Sequence, residues 1–231
     1  MEELFYKNFF KTKDFKHKNL WGESDIIWSP LYHISDYIKN LTLTIDSEIT
    51  VLSTIINKEF IRIGKNVIIE PYSLIKGPAI IEDGTIIRHG AYIRENTIIG
   101  RNCIIGHNCE IKNSVVLNNS RIAHFAYVGD SILGNNVNIA AGVKCANVRF
   151  DKKDIEIFIK TIKVKTKLKK LGAIIGDNSQ IGCNSVLNPG TIIGKNTICY
   201  GSLNIKGFIP KNSLIKEDNS RYCVKKKNGF I

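Results

Sequence analysis

An aliphatic residue recurs at every sixth position over a long central stretch of the chain. Ten such positions follow one another without a miss: Ile63, Ile69, Ile75, Ile81, Ile87, Ile93, Ile99, Ile105, Ile111 and Leu117. Four residues after each of the first nine lies a small or β-branched residue: Val67, Ser73, Ala79, Thr85, Ala91, Thr97, Cys103, Cys109 and Val115. This period matches neither the 3.6-residue repeat of a helix nor the two-residue alternation of an ordinary strand.

A period of six is typical of a parallel β-helix, in which each repeat forms one short strand. Three strands make one coil, and neighbouring coils lie about 4.8 Å apart. We predict that the aliphatic anchors point inward, that the smaller column packs beside them, and that Gly, Asn and Asp form the turns. The predicted fold class is therefore all-β. The period does not fix the handedness, and the usual crossover rule would give a right-handed coil.

The repeat is interrupted twice. It breaks at Ala123, where the next anchors come at Val128 and Leu133, and this break opens the polar stretch HFAYVGDSILGNNVNIAAGVKCANVRF, residues 124–150. It is lost again between 146 and 173, where the segment DKKDIEIFIKTIKVKTKLKK is too rich in lysine to pack inside and predicts a loop or hairpin. Loss of local regularity is where function is expected.

The pattern divides the chain into three parts. Residues 51–217 are the predicted β-helix, with an excursion at 148–172, and residues 218–231 are a basic tail. Residues 1–50 are a predicted cap segment that packs against one end of the coil stack. Within it, PLYHISDYIKN predicts a short helix with Ser29 as cap and Pro30 at its first position. Its predicted apolar face comprises Tyr32, Ile34, Tyr37, Ile38 and Leu41.

Composition narrows the function only slightly. A chain of 231 residues fits one main domain, and no stretch is apolar enough for a membrane span, so we expect a soluble, cytoplasmic protein. The net charge of +12 favours an anionic partner, which can be a nucleic acid, a lipid surface or a phosphorylated small molecule.

The six cysteines include no CxxC pair, so we expect reduced thiols: Cys103, Cys109, Cys145, Cys183, Cys199 and Cys223. Four of them fall in the two inward columns and are predicted to be packed thiols. Cys183 lies off both columns, and its role stays open.

Two cations and three histidines recur at the length of one coil. Arg94 and Lys112 are 18 residues apart, so they share a face on adjacent coils, where they repel one another unless an anion lies over them. Alternatively, they are solvated charges beside nearby glutamates. His89 and His107 are also 18 apart, and His124 follows 17 residues later. A straight column of histidines fits tetrahedral zinc badly, so we expect no metal, with His89 and His107 flanking the site.

The elements HxxYxGD, NVNxxAG and xANVRxD follow one another in this order from residue 124. Together with LGAIIGDNSQIGCNSVLNPGTIIGKNT, they resemble the acetyltransferase half of the bifunctional sugar-1-phosphate nucleotidylyltransferase/glucosamine-1-phosphate N-acetyltransferase family, a hexapeptide-repeat acyltransferase group. The resemblance covers roughly residues 60–210. It implies a left-handed β-helix, a homotrimer with active sites between subunits, and acetyl transfer from acetyl-CoA to an amino-sugar phosphate in UDP-N-acetylglucosamine synthesis.

The resemblance also implies residue roles. His124 would be the general base, since an ordinary histidine titrates near neutral pH. The backbone amide of Ala141 would face the thioester oxygen, where such a donor contributes roughly 3 kcal/mol. The implied substrate-binding residues are Arg94, Lys112, Tyr127, Asn138, Asn147 and Lys153, and the implied acetyl-CoA contacts are Ala141, Cys183 and Gly201. The run from Lys160 to Lys170 either serves the phosphates of CoA or is a solvated hairpin.

One departure from the family concerns its nucleotidyltransferase domain. Nothing in the chain resembles the glycine-rich phosphate loop of that domain, so we expect that nucleotide-sugar synthesis needs a separate nucleotidyltransferase. The acceptor therefore stays open among a sugar 1-phosphate, a UDP-amino sugar and another amine.

Other function classes remain as alternatives. The chain can be a non-catalytic β-helix that serves assembly or regulation. A metal-dependent protein similar to γ-carbonic anhydrases is the second alternative, although this chain lacks their close histidine pair. Binding of nucleic acid is disfavoured because no aromatic residues are interleaved as a nucleic-acid motif would require.

Overall fold

The computed structural model describes residues 2–48, 52–159, 161–218 and 221–226. Most of its strands stack in parallel with the strand three places later along the chain, as β1 pairs with β4 and β4 with β7, and β14, β15 and β16 pair with strands five places later because the hairpin β17–β18 intervenes. The stacked strands form three flat walls of 8, 8 and 9 strands in the part of the chain that is described. The predicted parallel β-helix is therefore confirmed.

The strand bounds show how short each wall segment is. Wall 1 consists of β1 (Thr54–Ile56), β4 (Leu74–Lys76), β7 (Tyr92–Ile93), β10 (Glu110–Lys112), β13 (Tyr127–Gly129), β16 (Lys144–Cys145), β21 (Val186–Leu187) and β24 (Asn204–Ile205). Wall 2 consists of β2 (Ile61–Ile63), β5 (Ala79–Ile81), β8 (Thr97–Ile99), β11 (Ser114–Val116), β14 (Ile132–Leu133), β19 (Ala173–Ile175), β22 (Thr191–Ile193) and β25 (Phe208–Ile209). Wall 3 consists of β3 (Ile68–Ile69), β6 (Ile86–Ile87), β9 (Ile104–Ile105), β12 (Arg121–Ile122), β15 (Asn138–Ile139), β20 (Gln180–Ile181), β23 (Ile198–Cys199), β26 (Ser213–Asp218) and β27 (Arg221–Lys226).

The interior is a continuous column of aliphatic side chains. In β3, Ile69 points inward and is 3% exposed, whereas its neighbour Ile68 points outward and is 54% exposed. Successive strand residues face opposite sides, so a two-residue strand gives one residue to the interior and a three-residue strand such as β2 gives two, Ile61 and Ile63. Each fully buried isoleucine contributes roughly 2 kcal/mol of hydrophobic free energy. The inward aliphatic residues of the six-residue repeat are therefore the main source of stability for the stack.

The anchor register differs from the prediction at Leu117 and Ala123 and agrees with it at Val128 and Leu133, which both point inward. Val116, and not Leu117, is the inward residue, because it pairs with Ile99 and belongs to the interior cluster while Leu117 packs on the outside. The corner between β10 and β11 is one residue shorter, and Asn113 closes it in a left-handed conformation at φ 46°. The corner at Asp130 (φ 49°) repeats this shortening. The predicted break at Ala123 is thus wrong.

The N-terminal segment lies along the outside of wall 2 and not at one end of the stack. Its short 3-10 helices span Glu2–Leu4, Tyr6–Asn8, Lys18–Trp21 and Ser29–Tyr32, and a fifth, Lys58–Phe60, precedes β2. The bulky side chains of this segment, among them Phe10, Phe15 and Trp21, pack against the outward aliphatic residues of wall 2, such as Ile98 and Ile132. Wall 2 is apolar on both faces, so its outer face requires this cover.

The predicted helix of this segment is divided. Its α-helical part, α1, spans Ile34–Lys39 and follows the 3-10 turn Ser29–Tyr32. The Ser29 side chain makes no capping hydrogen bond, and its hydroxyl is buried without a partner among the described residues. Ile34 and Ile38 are buried as predicted, but Tyr32 is 51% exposed. The apolar face is therefore narrower than the spacing indicates.

Buried carboxylates fasten this segment to the solenoid. Asp177 accepts hydrogen bonds from the Lys11 and Asn135 backbone N–H groups, both at 2.7 Å.

Parallel pairing of Ile45 with Ile63 shows that the first coil already begins before residue 51. Among the described residues, no helix has the length and apolar character needed to cross a bilayer.

The lysine-rich excursion is a two-stranded antiparallel hairpin, β17 (Glu156–Ile159) and β18 (Ile162–Lys165). Its alternate residues Ile157 and Ile159 are buried with the outer cluster of wall 2. The hairpin is therefore packed on one face and lysine-rich on the other. Lys160, which begins the predicted lysine run, lies outside the described residues.

The predicted basic tail contains a strand. The backbone of β27 pairs antiparallel with β26 and extends wall 3. An open sheet edge offers unpaired N–H and C=O groups to the segment that follows, which accounts for this addition.

Candidate active site

One corner of the solenoid carries the three histidines. At the turn from wall 3 to wall 1, backbone hydrogen bonds of 2.7–3.2 Å join each coil to the next and align six residues in one column. This histidine corner comprises His89, His107, His124, Ala141, Cys183 and Gly201. The candidate base and all three candidate acetyl-CoA contacts therefore share one column, which the sequence did not place together by spacing alone.

His124 and Ala141 are neighbours in this column. The Gly142 N–H donates to the His124 carbonyl at 2.8 Å, and the His124 side chain is exposed and forms no hydrogen bond within the described chain. The Ala141 N–H likewise has no acceptor among the described residues. Gly142 has φ +74°, and a Cβ there would lie 2.2 Å from Asn184 Oδ1, so a larger residue would require the Asn184 side chain to move. An unpaired imidazole thus lies one rung from an unpaired amide.

The side chains of the column do not form a stack of three histidines. The His89 and His107 rings are stacked at 5.3 Å between centroids, but the next ring along is that of Phe125, 5.2 Å from His107. His107 Nδ1 lies 2.9 Å from the His89 carbonyl oxygen. In the described residues, no group of three or more histidine, cysteine or acidic side chains is arranged to hold a metal ion.

A groove runs beside His124 on wall 3. Its volume is about 380 Å³, and it is lined by His107, Arg121, His124 and Asn138, among others. Asn138 is the outward residue of β15 and pairs in register with Arg121. The structure therefore brings the predicted substrate residue Asn138 to the same groove as the predicted base.

The opposite edge of wall 1 carries the two cations. Arg94 N–H donates to the Ile111 carbonyl at 2.8 Å, which stacks Arg94 and Lys112 on adjacent coils as predicted. Carboxylates lie beside both cations: Arg94 Nη1 lies 2.8 Å from Glu110 Oε1 and Nη2 lies 3.8 Å from Glu95 Oε1, and Lys112 Nζ lies 3.1 Å from Asp130 Oδ2. The hydrogen bond to Glu110 raises the pKa of Arg94 above its usual range. We call this group, with Tyr127 and Asn147, the ion-pair corner.

Asp130 connects the members of the ion-pair corner. It is 3% exposed and accepts hydrogen bonds from Lys112, from Asn113 Nδ2 at 2.7 Å and from Asn147 Nδ2. Asn147 Nδ2 also donates to the Tyr127 hydroxyl at 3.2 Å. Burial, followed by the charge of Asp130, raises the pKa of Tyr127. Glu110 is one of the nearby glutamates expected beside these cations, whereas Asp130 was not predicted as a site residue, although it is the last residue of the HxxYxGD element.

The two corners flank the same strand of wall 1. His124 and Tyr127 are three residues apart, so their Cα atoms are separated by at most about 10 Å. The structure brings Arg94, Lys112, Tyr127 and Asn147 together at one edge and His124, Asn138, Ala141, Cys183 and Gly201 near the other. Between them, the outward surface of wall 1 is open in the single chain.

Lys153 does not lie with Arg94 and Lys112. Its backbone N–H donates to Asp151 Oδ1 at 3.3 Å, and its side chain lines a separate concave surface at the hairpin. Asp151 is held by a two-point contact with Arg149, which lowers the pKa of the Asp151 carboxyl well below its usual range. The predicted contact of Lys153 with the sugar phosphate stays a prediction.

The cysteines separate into two groups. Cys103, Cys109, Cys145 and Cys199 are buried and form no disulfide, whereas Cys183 is exposed in the histidine corner. Burial raises the pKa of Cys103, Cys145 and Cys199 to about 12. The side chain of Cys223 lies outside the described part of the chain.

Comparison with known proteins places the matched region in the centre of the chain. The family model described as "GMPPB C-terminal domain" matches residues 75–169. The chain is 39% identical over 109 residues to the "Bifunctional protein GlmU" of Methanococcus maripaludis strain C7, covering 47% of this chain and 26% of the relative. It is 41% identical over 75 residues to the "Bifunctional sugar-1-phosphate nucleotidylyltransferase/acetyltransferase" of Sulfurisphaera tokodaii, covering 32% of this chain and 19% of the relative.

Among solved structures, the Francisella novicida UDP-N-acetylglucosamine acyltransferase shares the fold. Its TM-score is 0.52 at 18% identity, covering 80% of this chain and 69% of that one. The fold class is therefore the predicted all-β, left-handed parallel β-helix. The resemblance to the acetyltransferase part of the bifunctional proteins is confirmed by the curated relatives, and the chain spans about a quarter of their length.

Proposed function

We propose that this chain is an acyl-CoA-dependent N-acyltransferase that moves an acetyl group from acetyl-CoA to the amine of a phosphorylated amino sugar. Similarity to the bifunctional relatives supports the activity. The observation that carries the proposal is the pairing, on one corner, of an exposed imidazole at His124 with an unpaired backbone amide at Ala141. General base catalysis and oxyanion stabilisation need these two groups.

The chemical step uses direct attack by the amine. The amine nitrogen of the acceptor bonds to the thioester carbonyl carbon, and His124 takes the proton that the nitrogen loses. The Ala141 N–H donates to the oxyanion that develops. Collapse of this intermediate breaks the C–S bond, and the CoA thiolate takes the proton from the His124 imidazolium. The step needs no cysteine or serine nucleophile.

The ion-pair corner supplies the acceptor site in this proposal. A lysine has three N–H donors and an arginine five, so the contacts to Asp130 and Glu110 leave donors available. Arg94 Nε is buried and has no partner among the described residues. A buried donor without a partner is rare and costly, and a phosphate oxygen would satisfy it if the Arg94 side chain turned toward the ligand. Tyr127, Asn138 and Asn147 would then orient the sugar, and Cys183 and Gly201 would line the CoA channel.

We further propose a homotrimer that works in the cytoplasm. Wall 2 is covered by the N-terminal segment and the hairpin, but wall 3 presents Ile68, Ile86 and Ile104 outward. Burial of this strip between copies would close the open groove beside His124. Residues of two subunits would then complete each site.

The test is thiol release from acetyl-CoA with a panel of amino-sugar phosphates. We expect turnover with at least one acceptor, and a loss of about 10²–10⁴-fold in kcat for His124→Ala with the trimer intact. The matched control is His89→Ala, which removes the same side chain two rungs away and is expected to retain near-normal kcat.

Two results would count against the proposal. Near-normal turnover by His124→Ala would remove the base assignment. Absence of thiol release with every acceptor, in a correctly folded trimer, would favour the non-catalytic alternative.

A further inference from the structure

A second cationic pocket lies beside the hairpin and outside the groups that the proposed chemistry uses. It has a volume of about 280 Å³. Five cations line it: Arg149, Lys152, Lys153, Lys165 and Lys169. The lining includes two carboxylates, Asp154 and Glu156. We call this surface the hairpin pocket.

The carboxylates neutralise the hairpin pocket only in part, because its lining has five cations against Asp154 and Glu156, and the charges of Arg149 and Lys165 also act on Glu156. Glu156 pairs with Lys163 at 2.8 Å, and the hydrogen bond from Lys163 lowers the pKa of the Glu156 carboxyl. Asp151, next to the pocket, is taken up by Arg149. The side chains of Lys152, Lys153, Lys165 and Lys169 form no ion pair with the described residues. Several like charges around one concavity repel one another, and an anion would relieve this repulsion.

The scaffold of the hairpin pocket is fixed. Strands β17 and β18 pair from Glu156–Lys165 to Ile159–Ile162, and the Thr166 hydroxyl donates to the Ile155 carbonyl at 2.7 Å. Ile155 and Ile157 are each 1% exposed because they pack on the outer cluster of wall 2. Lys165 therefore projects from a paired strand, whereas Arg149, Lys152 and Lys153 precede β17 and Lys169 follows β18.

The hairpin pocket is joined to the ion-pair corner. The Leu171 N–H donates to the Asn147 carbonyl at 3.0 Å, and Val148 forms a β-bridge with Lys170, so both ends of the excursion meet at Asn147. Arg149 is two residues from Asn147, a Cα separation of at most about 7 Å. A substrate bound at Arg94 and Lys112 would therefore lie close to a second group of cations.

We propose that the hairpin pocket is a second anion site, which binds a phosphate group of a substrate at a point separate from Arg94 and Lys112. The assignment of that phosphate to a substrate rests on the proposed function. Phosphate is the fitting chemistry because several independent ammonium groups converge on one concavity. No aromatic residue lines the pocket, so it lacks the stacking surface that single-stranded nucleic acid requires.

Two sources can supply the phosphate. One is the acceptor, if it carries a nucleoside diphosphate and not a single phosphate. The other is the 3′-phosphate of CoA. Both present phosphate oxygens to the same lysines, so kinetics with variants must distinguish them.

The experiment measures direct binding to the full chain by calorimetry at low ionic strength, with pyrophosphate and adenosine 3′,5′-bisphosphate as probes. Wild type is expected to bind at least one probe, and the double variant Lys165→Gln/Lys169→Gln is expected to raise its Kd at least tenfold. The matched control Lys13→Gln/Lys18→Gln removes the same charge from another basic groove, between the N-terminal segment and Arg101. It should change Kd less than twofold.

The outcomes separate this site from the proposed function. Absence of probe binding by wild type, equal Kd for the hairpin variant and wild type, or an equal loss in the control would overturn the hairpin pocket. Binding of the probe without any acetyl transfer would support the site while contradicting the proposed function. In an active enzyme, a raised KM for acetyl-CoA alone would assign the phosphate to the donor, and a raised KM for the acceptor alone would assign it to the acceptor.

Discussion

Asp130 holds the ion-pair corner together at the scale of single residues. It is buried, and its two carboxylate oxygens receive donors from Lys112, Asn113 and Asn147. A buried carboxylate with three donors fixes the direction of each donor. Its side chain therefore sets where Lys112 and Asn147 can meet a ligand.

Replacing Asp130 with alanine is expected to lower the free energy of unfolding by roughly 2–4 kcal/mol, because it removes the acceptor of a partly buried ammonium and of two side-chain amides. Urea unfolding followed by circular dichroism measures the change. Asp36→Ala is the control, since Asp36 is exposed on α1 and its loss should cost less than about 0.5 kcal/mol. Equal stability of both variants would show that Asp130 is not a structural centre.

Cys183 should be the only described thiol that reacts in the native protein. The pKa of Cys103, Cys145 and Cys199 is raised to about 12 by burial, and Cys109 is also buried, so these groups are neutral and inaccessible. In a Cys223→Ser background, we expect a maleimide to add once, as measured by intact mass. Saturating acetyl-CoA should slow that addition if Cys183 lines its channel. Two or more rapid additions would contradict the burial of the other thiols.

Sequence reasoning at this scale succeeded where a role follows from register. The 18-residue spacing of Arg94 and Lys112 placed them on adjacent coils, as the structure shows. It failed for Leu117, because Val115, Val116 and Leu117 are all apolar and a shift of one residue keeps the pattern intact. The tight turn at Asn113 decides the register, and a left-handed residue cannot be read from hydrophobicity.

At the scale of elements, one solenoid corner is held by side-chain amides. At the turn from wall 2 to wall 3, the amides of Asn136, Asn178, Asn196 and Asn212 form a continuous ladder of hydrogen bonds at 3.0–3.2 Å. Each of these residues adopts positive φ, at 54–60°. Asparagine suits both needs, since it tolerates the left-handed region and supplies an amide that stacks along the coil axis.

Asn196→Ala should lower the free energy of unfolding by about 1–3 kcal/mol. Alanine disfavours φ 56° by about 1–2 kcal/mol, and the change removes hydrogen bonds to Asn178 and Asn212. Asn196→Gly should cost less than Asn196→Ala, because glycine keeps the backbone conformation. Chemical unfolding of both variants tests this order, and a larger loss for glycine would contradict it.

Glu82 gives the junction of the N-terminal segment its pH dependence. Burial alone would raise its pKa, but the hydrogen bond and charge of His17, with the charges of Lys16 and Arg62, outweigh burial and lower it from 4.5 to about 2. A carboxyl whose folded pKa is depressed stabilises the fold above its unfolded pKa and loses that contribution as pH falls to the folded pKa.

The contribution of Glu82, roughly 3 kcal/mol, should therefore be complete above about pH 5 and vanish by about pH 2. Glu82→Gln should destabilise the protein at pH 7, and the gap to wild type should close as pH falls through this window. Thermal unfolding across this pH range measures it. A gap that stays constant with pH would show that the ion pairs do not stabilise the fold.

Secondary structure could be predicted from the sequence where the hydrophobic pattern repeats, and not where it does not. The strands of the three walls follow from one repeated rule, whereas the N-terminal segment has no repeat. Its helix was misplaced because Ser29 and Pro30 form a capping pattern, yet the chain makes a 3-10 turn before α1. The N-terminal segment packs where it does because the outer face of wall 2 is apolar. The six-residue repeat of inward residues does not reveal that outer face.

At the scale of the whole molecule, wall 3 has an apolar outer strip that no described segment covers. Wall 2 is buried under other segments, while wall 3 shows a strip of isoleucines at Ile68, Ile86 and Ile104. Such a strip on an open flat sheet is expected to meet another copy. The site proposed here needs that contact, because His124 lies at the edge of the same wall.

The double variant Ile86→Glu/Ile104→Glu should shift the proposed trimer to monomer and lower kcat/KM at least tenfold, because like charges would face each other across the seam. Sedimentation velocity measures the mass, and circular dichroism confirms the fold. The control Lys167→Glu, on the hairpin, should leave the mass unchanged. A trimer retained by the double variant would place the seam on another wall.

The corner between walls 1 and 2 tolerates changes in chain length that the stack does not register. It loses one residue at Asn113 and again at Asp130, then gains the whole hairpin after Asn147, yet the ladder continues from Val128 to Cys145 to Leu187 without a gap. This corner therefore accommodates deletions and insertions without a change in the pairing of the strands on either side. A foreign peptide inserted at the tip of the hairpin should therefore leave the neighbouring coils unchanged. The hairpin is a suitable insertion site for tags and sensors.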